Sequence, residues 1–321
     1  MEKIQPNQYR QAAEAALQGA GYDHKKLVLI HTSIIAAVTL LANILIYVLE
    51  QQLASAGGLG GLGTRSILLT AQTMLQFLPA LLMPFWAMGY VFSIVNISGG
   101  KRTGPGDLAE GFFRFFPVLR LELLMALMYA LLAFAATQLG GTVFLWTPWA
   151  APFMNAALAF LADPENLALE QELYVQAYQV MVPMALIMGA VFVGISAPFF
   201  YRFRMARLHM MANPGKGAFA AMKESAAMTR FRRFELFKLD LHFWWFYLLE
   251  AGAVALGYGQ LLFSALGADA ILPDVAWHFI FLILSLGWQL VLHHWRKNEV
   301  YVTYAKVYQD LCDETFKEET L

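Results

Sequence analysis

The chain has 321 residues, 59% of them hydrophobic and only 14% charged, with a formal net charge of −1 at pH 7. A water-soluble domain keeps about a quarter of its residues charged, so this composition excludes an ordinary soluble surface. The single cysteine, Cys312, excludes an intrachain disulfide and any multi-cysteine metal site.

Residues 5–18 open the chain as an amphipathic helix. The apolar run from Leu27 to Leu49 is longer than a signal-peptide core of about 7–15 residues, so it reads as a retained span. Further apolar runs cover 67–95, 119–144, 179–202, 239–265 and 272–292. They lack strict alternation. In hydrocarbon the backbone must satisfy its own hydrogen bonds, so these runs read as helices and not as barrel strands. The expected fold is an all-α polytopic membrane protein with six transmembrane helices: an N-terminal helix over 1–26, a six-helix domain over 27–292, and a helical tail over 293–321.

The connectors alternate in charge. Lys3, Arg10, Lys25 and Lys26 precede the first span, and the next connector holds only Arg65. Lys101, Arg102, Arg114 and Arg120 follow span two, whereas 145–178 contains no Lys or Arg. A basic stretch from Arg202 to Lys238 then precedes span five, Asp269 and Asp274 lie in the following connector, and Arg296, Lys297, Lys306 and Lys317 follow span six. By the positive-inside rule both termini and the basic connectors face the cytoplasm. Trp146, Trp149 and Trp277 suit an outer interfacial belt, and Trp244, Trp245 and Trp295 an inner one.

The basic connectors carry helix signals of their own. Asp107 stands where it can cap a helix, with Glu110 at the reciprocal position of a capping box. The adjacent Phe112, Phe113, Phe115 and Phe116 are too apolar for a free surface. Asn213-Pro214 reads as a second helix start, an N-cap residue before a first-turn proline. Beyond it Lys216, Lys223 and Arg230 recur every seven residues, with Phe219 and Met222 on another face. Such helices lie along the inner leaflet or dock on the bundle; sequence leaves both open. Gly58 to Gly63 satisfies G-x-G-x-x-G but follows no strand, so it reads as a flexible connector.

Two segments look alike. Pro84-Phe85-Trp86 matches Pro198-Phe199-Phe200, Arg120-Leu-Glu122-Leu matches Lys238-Leu-Asp240-Leu, and Tyr129 and Tyr247 follow at equal distances. This suggests a parallel internal repeat of interfacial helix plus span.

Glu250 is the most unusual position. Counted from the start of span five it lies about 17 Å along the helix, close to the bilayer midplane, where an ionisable group is costly and often functional. Tyr247, Gln289 and Ser285 are available as partners, and no Asp, His or Lys stands at that depth. A relay site and a hydrogen-bonded packing residue are both open. The pairs Arg120/Glu122 and Lys238/Asp240 sit where spans begin and suit snorkelling and cross-pairing. Arg202, Arg204 and Arg207 form a cationic helix end suited to anionic lipid or an anionic substrate. His293-His294 point about 100° apart on a helix and chelate poorly together. Pro79, Pro84, Pro183 and Pro198 read as breaks or kinks in spans two and four. No catalytic constellation, cofactor motif, metal site or nucleic-acid surface is visible, so the chain does not read as an enzyme.

The stretch Tyr201-Arg-Phe-Arg-Met-Ala-Arg-Leu-His209, then Asn213-Pro214, Ala221-Met-Lys-Glu-Ser225 and Glu235-Leu-Phe-Lys-Leu-Asp-Leu-His-Phe-Trp-Trp245 resembles the bacterial integral-membrane family catalogued as domain of unknown function 975. Arg10 to Gly19 is similar to that family's opening, and Val300-Tyr301 with Tyr304 and Tyr308 to its closing aromatic segment. The chain departs from the family at Arg230-Phe231, where a Gly is common, and in the connector 145–178. The resemblance implies a bacterial cytoplasmic-membrane location and no particular activity. The expected function is a non-enzymatic membrane module that engages the anionic inner leaflet, a membrane-protein partner or a second copy through its cytoplasmic helices. The alternative is a transporter with a polar pathway near Glu250 and spans two and four.

Overall fold

The computed structural model describes residues 4–20, 23–55, 62–259 and 274–317, and every regular element among them is helical. The elements are α1 (Pro6–Gln18), α2 (His24–Ser55), α3 (Leu62–Ser98), a 3₁₀ turn (Pro105–Ala109), α4 (Glu110–Phe113), α5 (Phe115–Leu145), α6 (Ala150–Ala162) and α7 (Leu167–Phe203). They continue as α8 (Ala206–Ala212), α9 (Ala218–Met228), α10 (Arg233–His242), α11 (Trp244–Gly257), α12 (Asp274–Leu292), a π turn (His293–Lys297) and α13 (Asn298–Lys317). This is an all-α, polytopic helical membrane protein.

Five helical stretches are long and apolar enough to cross a bilayer: His24–Leu53, Ser66–Ser98, Phe115–Leu145, Leu167–Ala212 and Val275–Phe316. The expected count of six is therefore not reached among the described residues. The difference lies at 239–265. Phe243 leaves the helical conformation with ψ near 16°, and its N–H bonds back to the Asp240 carbonyl at 3.0 Å, closing α10 before α11 begins. Residues 239–242 thus belong to a separate helix, α11 has 14 residues, and 260–265 lie outside the described residues. So does most of the Gly58–Gly63 connector.

The prolines do not interrupt their helices. α3 continues through Pro79 and Pro84, and α7 through Pro183 and Pro198, as membrane helices tolerate. Two helix starts also differ from expectation. Pro105 occupies the first turn after Gly104, so Asp107 sits at the third position and accepts from the Gly104 N–H at 3.2 Å. Glu110 pairs with Arg114 at 2.8 Å. Asn213 closes α8 instead of opening α9: its amide donates to the His209 carbonyl at 3.0 Å, and α9 starts after Gly217.

The chain divides into two units, Met1–Leu121 with Met205–Leu321, and Glu122–Arg204. In the first unit α1 packs on α13, α2 and α8 on α3, α9 on α8, and α11 on α12. Ala13 and Leu17 of α1, Val302, Ala305 and Val307 of α13, and Met205, Met210 and Met211 around α8 are buried. The helices of the basic stretches, α1, α8 and α9, are thus docked into the core. Their N-terminal partner α3 meets the 3₁₀ turn and α4 at backbone contact. A Cβ at Gly89 would stand 1.9 Å from the Leu108 carbonyl oxygen, and one at Gly111 1.9 Å from that of Phe85.

In the second unit α6 folds back against α7, around Phe144, Ala150 and Val180 with Phe153, Met184 and Ile187. Residues 145–178, expected as a plain outer connector, therefore contain a helix and the first turns of α7. A wholly apolar groove of about 360 Å³ is lined by Leu124, Leu127, Met128, Leu131, Leu132 and Phe199.

Candidate functional site: a buried polar cluster and an aromatic–basic helix face

Where α12 ends, the backbone takes one π turn, His293-His-Trp-Arg-Lys297. A π turn adds a residue to helical register, and such bulges recur at functional sites. Here His293 and Lys297 are both buried, while His294 and Trp295 are exposed.

Glu250 of α11 meets the Nε2 of His293 through its Oε1. On the other edge of the imidazole, Nδ1 stands 3.0 Å from Thr32 Oγ1 and 3.4 Å from Lys297 Nζ. The Lys297 ammonium lies over the rings of Tyr90 at 5.2 Å and Tyr301 at 5.8 Å, within cation–π range. Tyr90 donates through its hydroxyl to Asn298 Oδ1 at 2.7 Å, and the Asn298 amide donates to the His24 carbonyl at 2.5 Å. His31, 2% exposed, stacks on Tyr90 with ring centroids 4.5 Å apart, and its Nδ1 has no hydrogen-bond partner. The arrangement is electrically coherent. In the Nε2–H tautomer His293 donates to the carboxylate, and its Nδ1 lone pair accepts from Thr32 or Lys297. One anion and one cation then flank a neutral ring, which offsets the several-kcal/mol penalty of burying either charge alone.

Glu250 therefore has the kind of partner that sequence did not reveal. Its expected depth also changes. Because the helix restarts at Trp244, Glu250 lies six residues into α11, or ~9 Å, close to the end that carries Trp244, Trp245 and Trp295. Its expected partners go elsewhere. Tyr247 donates to Asp240 at 3.2 Å, Ser285 donates to the Ala253 carbonyl at 2.7 Å, and Gln289 is half-buried on α12 outside the cluster.

The expected charge pairs separate into different settings. Asp240 accepts from Tyr304 as well as Tyr247, and the Lys238 ammonium lies 4.7 Å from the Phe234 ring. Arg120 is exposed and Glu122 half-buried on α5. Arg202 closes α7 above Phe203 at 5.4 Å, Arg204 caps it above Phe200 at 4.6 Å, and Arg207 is exposed on α8. The three arginines thus span two helices, not one helix end.

A second polar cluster joins α8, α9 and α13. His209, fully buried, has its Nε2 2.5 Å from Glu224 and its Nδ1 3.1 Å from the Tyr308 hydroxyl. Asn213 donates to that hydroxyl at 3.2 Å, and Lys216 pairs with Glu224. Burial works to raise the Glu224 carboxyl, yet the hydrogen bonds and charges of Lys216 and His209 outweigh it and hold the group below its ordinary value. Sequence carried each residue but no periodicity linking them.

α10 presents the third feature. Leu236 and Leu239 are buried, whereas Phe231 just before the helix and Phe234 on it are 75% and 65% exposed, continued by Phe237 and Leu241. Spacings of three and four residues align Phe234, Phe237 and Leu241 on one face of α10, and Phe231 precedes it in the turn. Cations rim them: Arg230 lies 5.1 Å from the Phe231 ring, beside Lys238 at Phe234. The helix is apolar toward both the core and its outer side.

Compared with protein-family models, curated proteins and solved structures, the chain gives no match in any of the three.

Proposed function

We propose that the chain is a non-enzymatic module of a bacterial cytoplasmic membrane, with both ends cytoplasmic, that engages the anionic inner leaflet through its interfacial helices. The alternation of basic and non-basic connectors along the chain supports that orientation. The observation that carries the reading is the outer face of α10 with the turn before it, where exposed Phe231, Phe234, Phe237 and Leu241 lie beside Arg230 and Lys238. Aromatic rings that enter the acyl boundary and cations that meet headgroups are the chemistry of an interfacial helix. Native mass spectrometry of the mildly solubilised protein, offered phosphatidylglycerol and phosphatidylcholine, tests it. Phosphatidylglycerol is retained in preference, and Phe234→Ser with Lys238→Gln abolishes the preference. Equal retention of both lipids by the wild type defeats the proposal. A protein that co-purifies and is released by the same substitutions assigns the face to a protein partner or a second copy instead.

A second reading, a transporter, is favoured by the Glu250–His293–Lys297 cluster among the apolar helices. Reconstituted vesicles would then show a proton or substrate flux that Glu250→Gln stops.

A further inference from the structure

We infer that Glu250, His293 and Lys297 form a proton-binding relay, in which the imidazole passes one proton between the ammonium and the carboxylate. This concerns the chemistry of the cluster, not net transport: vesicles without flux leave it standing. Three observations carry it. The imidazole uses both nitrogens, Nε2 toward Glu250 and Nδ1 toward Lys297 at 3.4 Å and Thr32 at 3.0 Å. His293 and Lys297, four residues apart across the π turn, share one buried face. The cluster also has an open end, since the Glu250 side chain is 34% exposed whereas that of His293 is 8% exposed.

The transfer balances. Lys297 Nζ–H breaks as Nδ1–H forms, and Nε2–H breaks as a Glu250 O–H forms. The ring ends neutral, now in its Nδ1–H tautomer, and the ammonium and carboxylate have become an amine and a carboxylic acid. A buried cation and a partly exposed anion disappear together, so the ionic and neutral arrangements compete where the surroundings are of low polarity. The titratable and charged groups facing the relay are His31 from α2, Tyr90 from α3 and Tyr301 from α13, with Thr32 and Asn298 as neutral hydrogen-bonding groups. None of these surrounding groups is a carboxylate, so Glu250 is the anion that receives the proton in the relay.

Infrared titration of the full-length protein in lipid nanodiscs tests the relay. A protonated-carboxyl stretch grows as pH falls, and Glu250→Gln removes it. Lys297→Met, which deletes the cation, moves the midpoint of that band to higher pH, and His293→Gln separates the two groups and makes the midpoint insensitive to Lys297→Met. Should Glu250→Gln fail to fold, Glu250→Asp keeps a carboxyl and displaces the band instead. Superimposable titrations of wild type and both Glu250 variants, or a midpoint unmoved by Lys297→Met, overturn the relay.

Discussion

Replacing Gly89 by alanine puts a methyl carbon 1.9 Å from the Leu108 carbonyl oxygen and 2.4 Å from its carbon, both backbone atoms that no rotamer change can move. Ordinary contact begins near 3.4 Å, so α3 and the 3₁₀ turn must part by about 1.5 Å, an overpacking that costs about 1–3 kcal/mol. Parting also withdraws Leu108, fully buried, and loosens the stack of Phe85 on Phe115 at 4.6 Å. Exposing a leucine adds up to about 2 kcal/mol, which brings the expected loss to about 3 kcal/mol or more. Gly111→Ala strikes the Phe85 carbonyl at the same crossing. One displacement relieves both clashes, so the double variant should cost clearly less than the two single losses combined. Equilibrium unfolding in mixed micelles, followed by circular dichroism, measures all three. Gly194→Ala, which meets open space inside α7, serves as the control and should lose nothing. Single losses near zero, or strict additivity, would refute the close crossing of these backbones.

Two further outcomes follow from the polar clusters. The Glu224 carboxyl is held below its ordinary 4.5 in the fold, so its contribution to stability is complete above about pH 4.5 and is lost as pH falls through the lowered value; melting temperature against pH should drop less steeply on the acid side for Glu224→Gln than for the wild type. Asn298→Ala leaves the buried Tyr90 hydroxyl and the His24 carbonyl without their partner, a loss of about 1–3 kcal/mol, and adding Tyr90→Phe should recover part of it in the same unfolding assay.

The helical class was legible because apolar runs of about twenty residues leave the backbone no other way to satisfy itself in hydrocarbon. α1 and the long spans fall where hydropathy places them. What failed was local. At 239–242 the polar Asp240 and His242 already interrupt the apolar run, and the helix break at Phe243 falls directly after them, before the strongly apolar Trp244–Gly257. Asn213 before Pro214 has the composition of a helix start, yet its amide reaches back to the turn that precedes it. The largest miss was His293. Read at a uniform helical period it belongs to a polar tail past the last span, and no periodicity argument inserts the extra residue of a π turn. The pair Lys238/Asp240 shows the same limit, because charge complementarity in sequence cannot foresee that tyrosines from α11 and α13 meet Asp240.

The first unit is assembled from both ends of the chain, Met1–Leu121 and Met205–Leu321, whereas Glu122–Arg204 is one uninterrupted stretch. During synthesis, α1 leaves the ribosome with its apolar residues Ala13 and Leu17 uncovered, and the helix it packs on most extensively, α13, follows every other described helix. The intervening stretch can pack within itself long before that. A ribosome stalled anywhere before Asn298 therefore holds a chain whose α1 has only its smaller contacts with α3 and α10, and arrival of α13 completes the packing of the first unit.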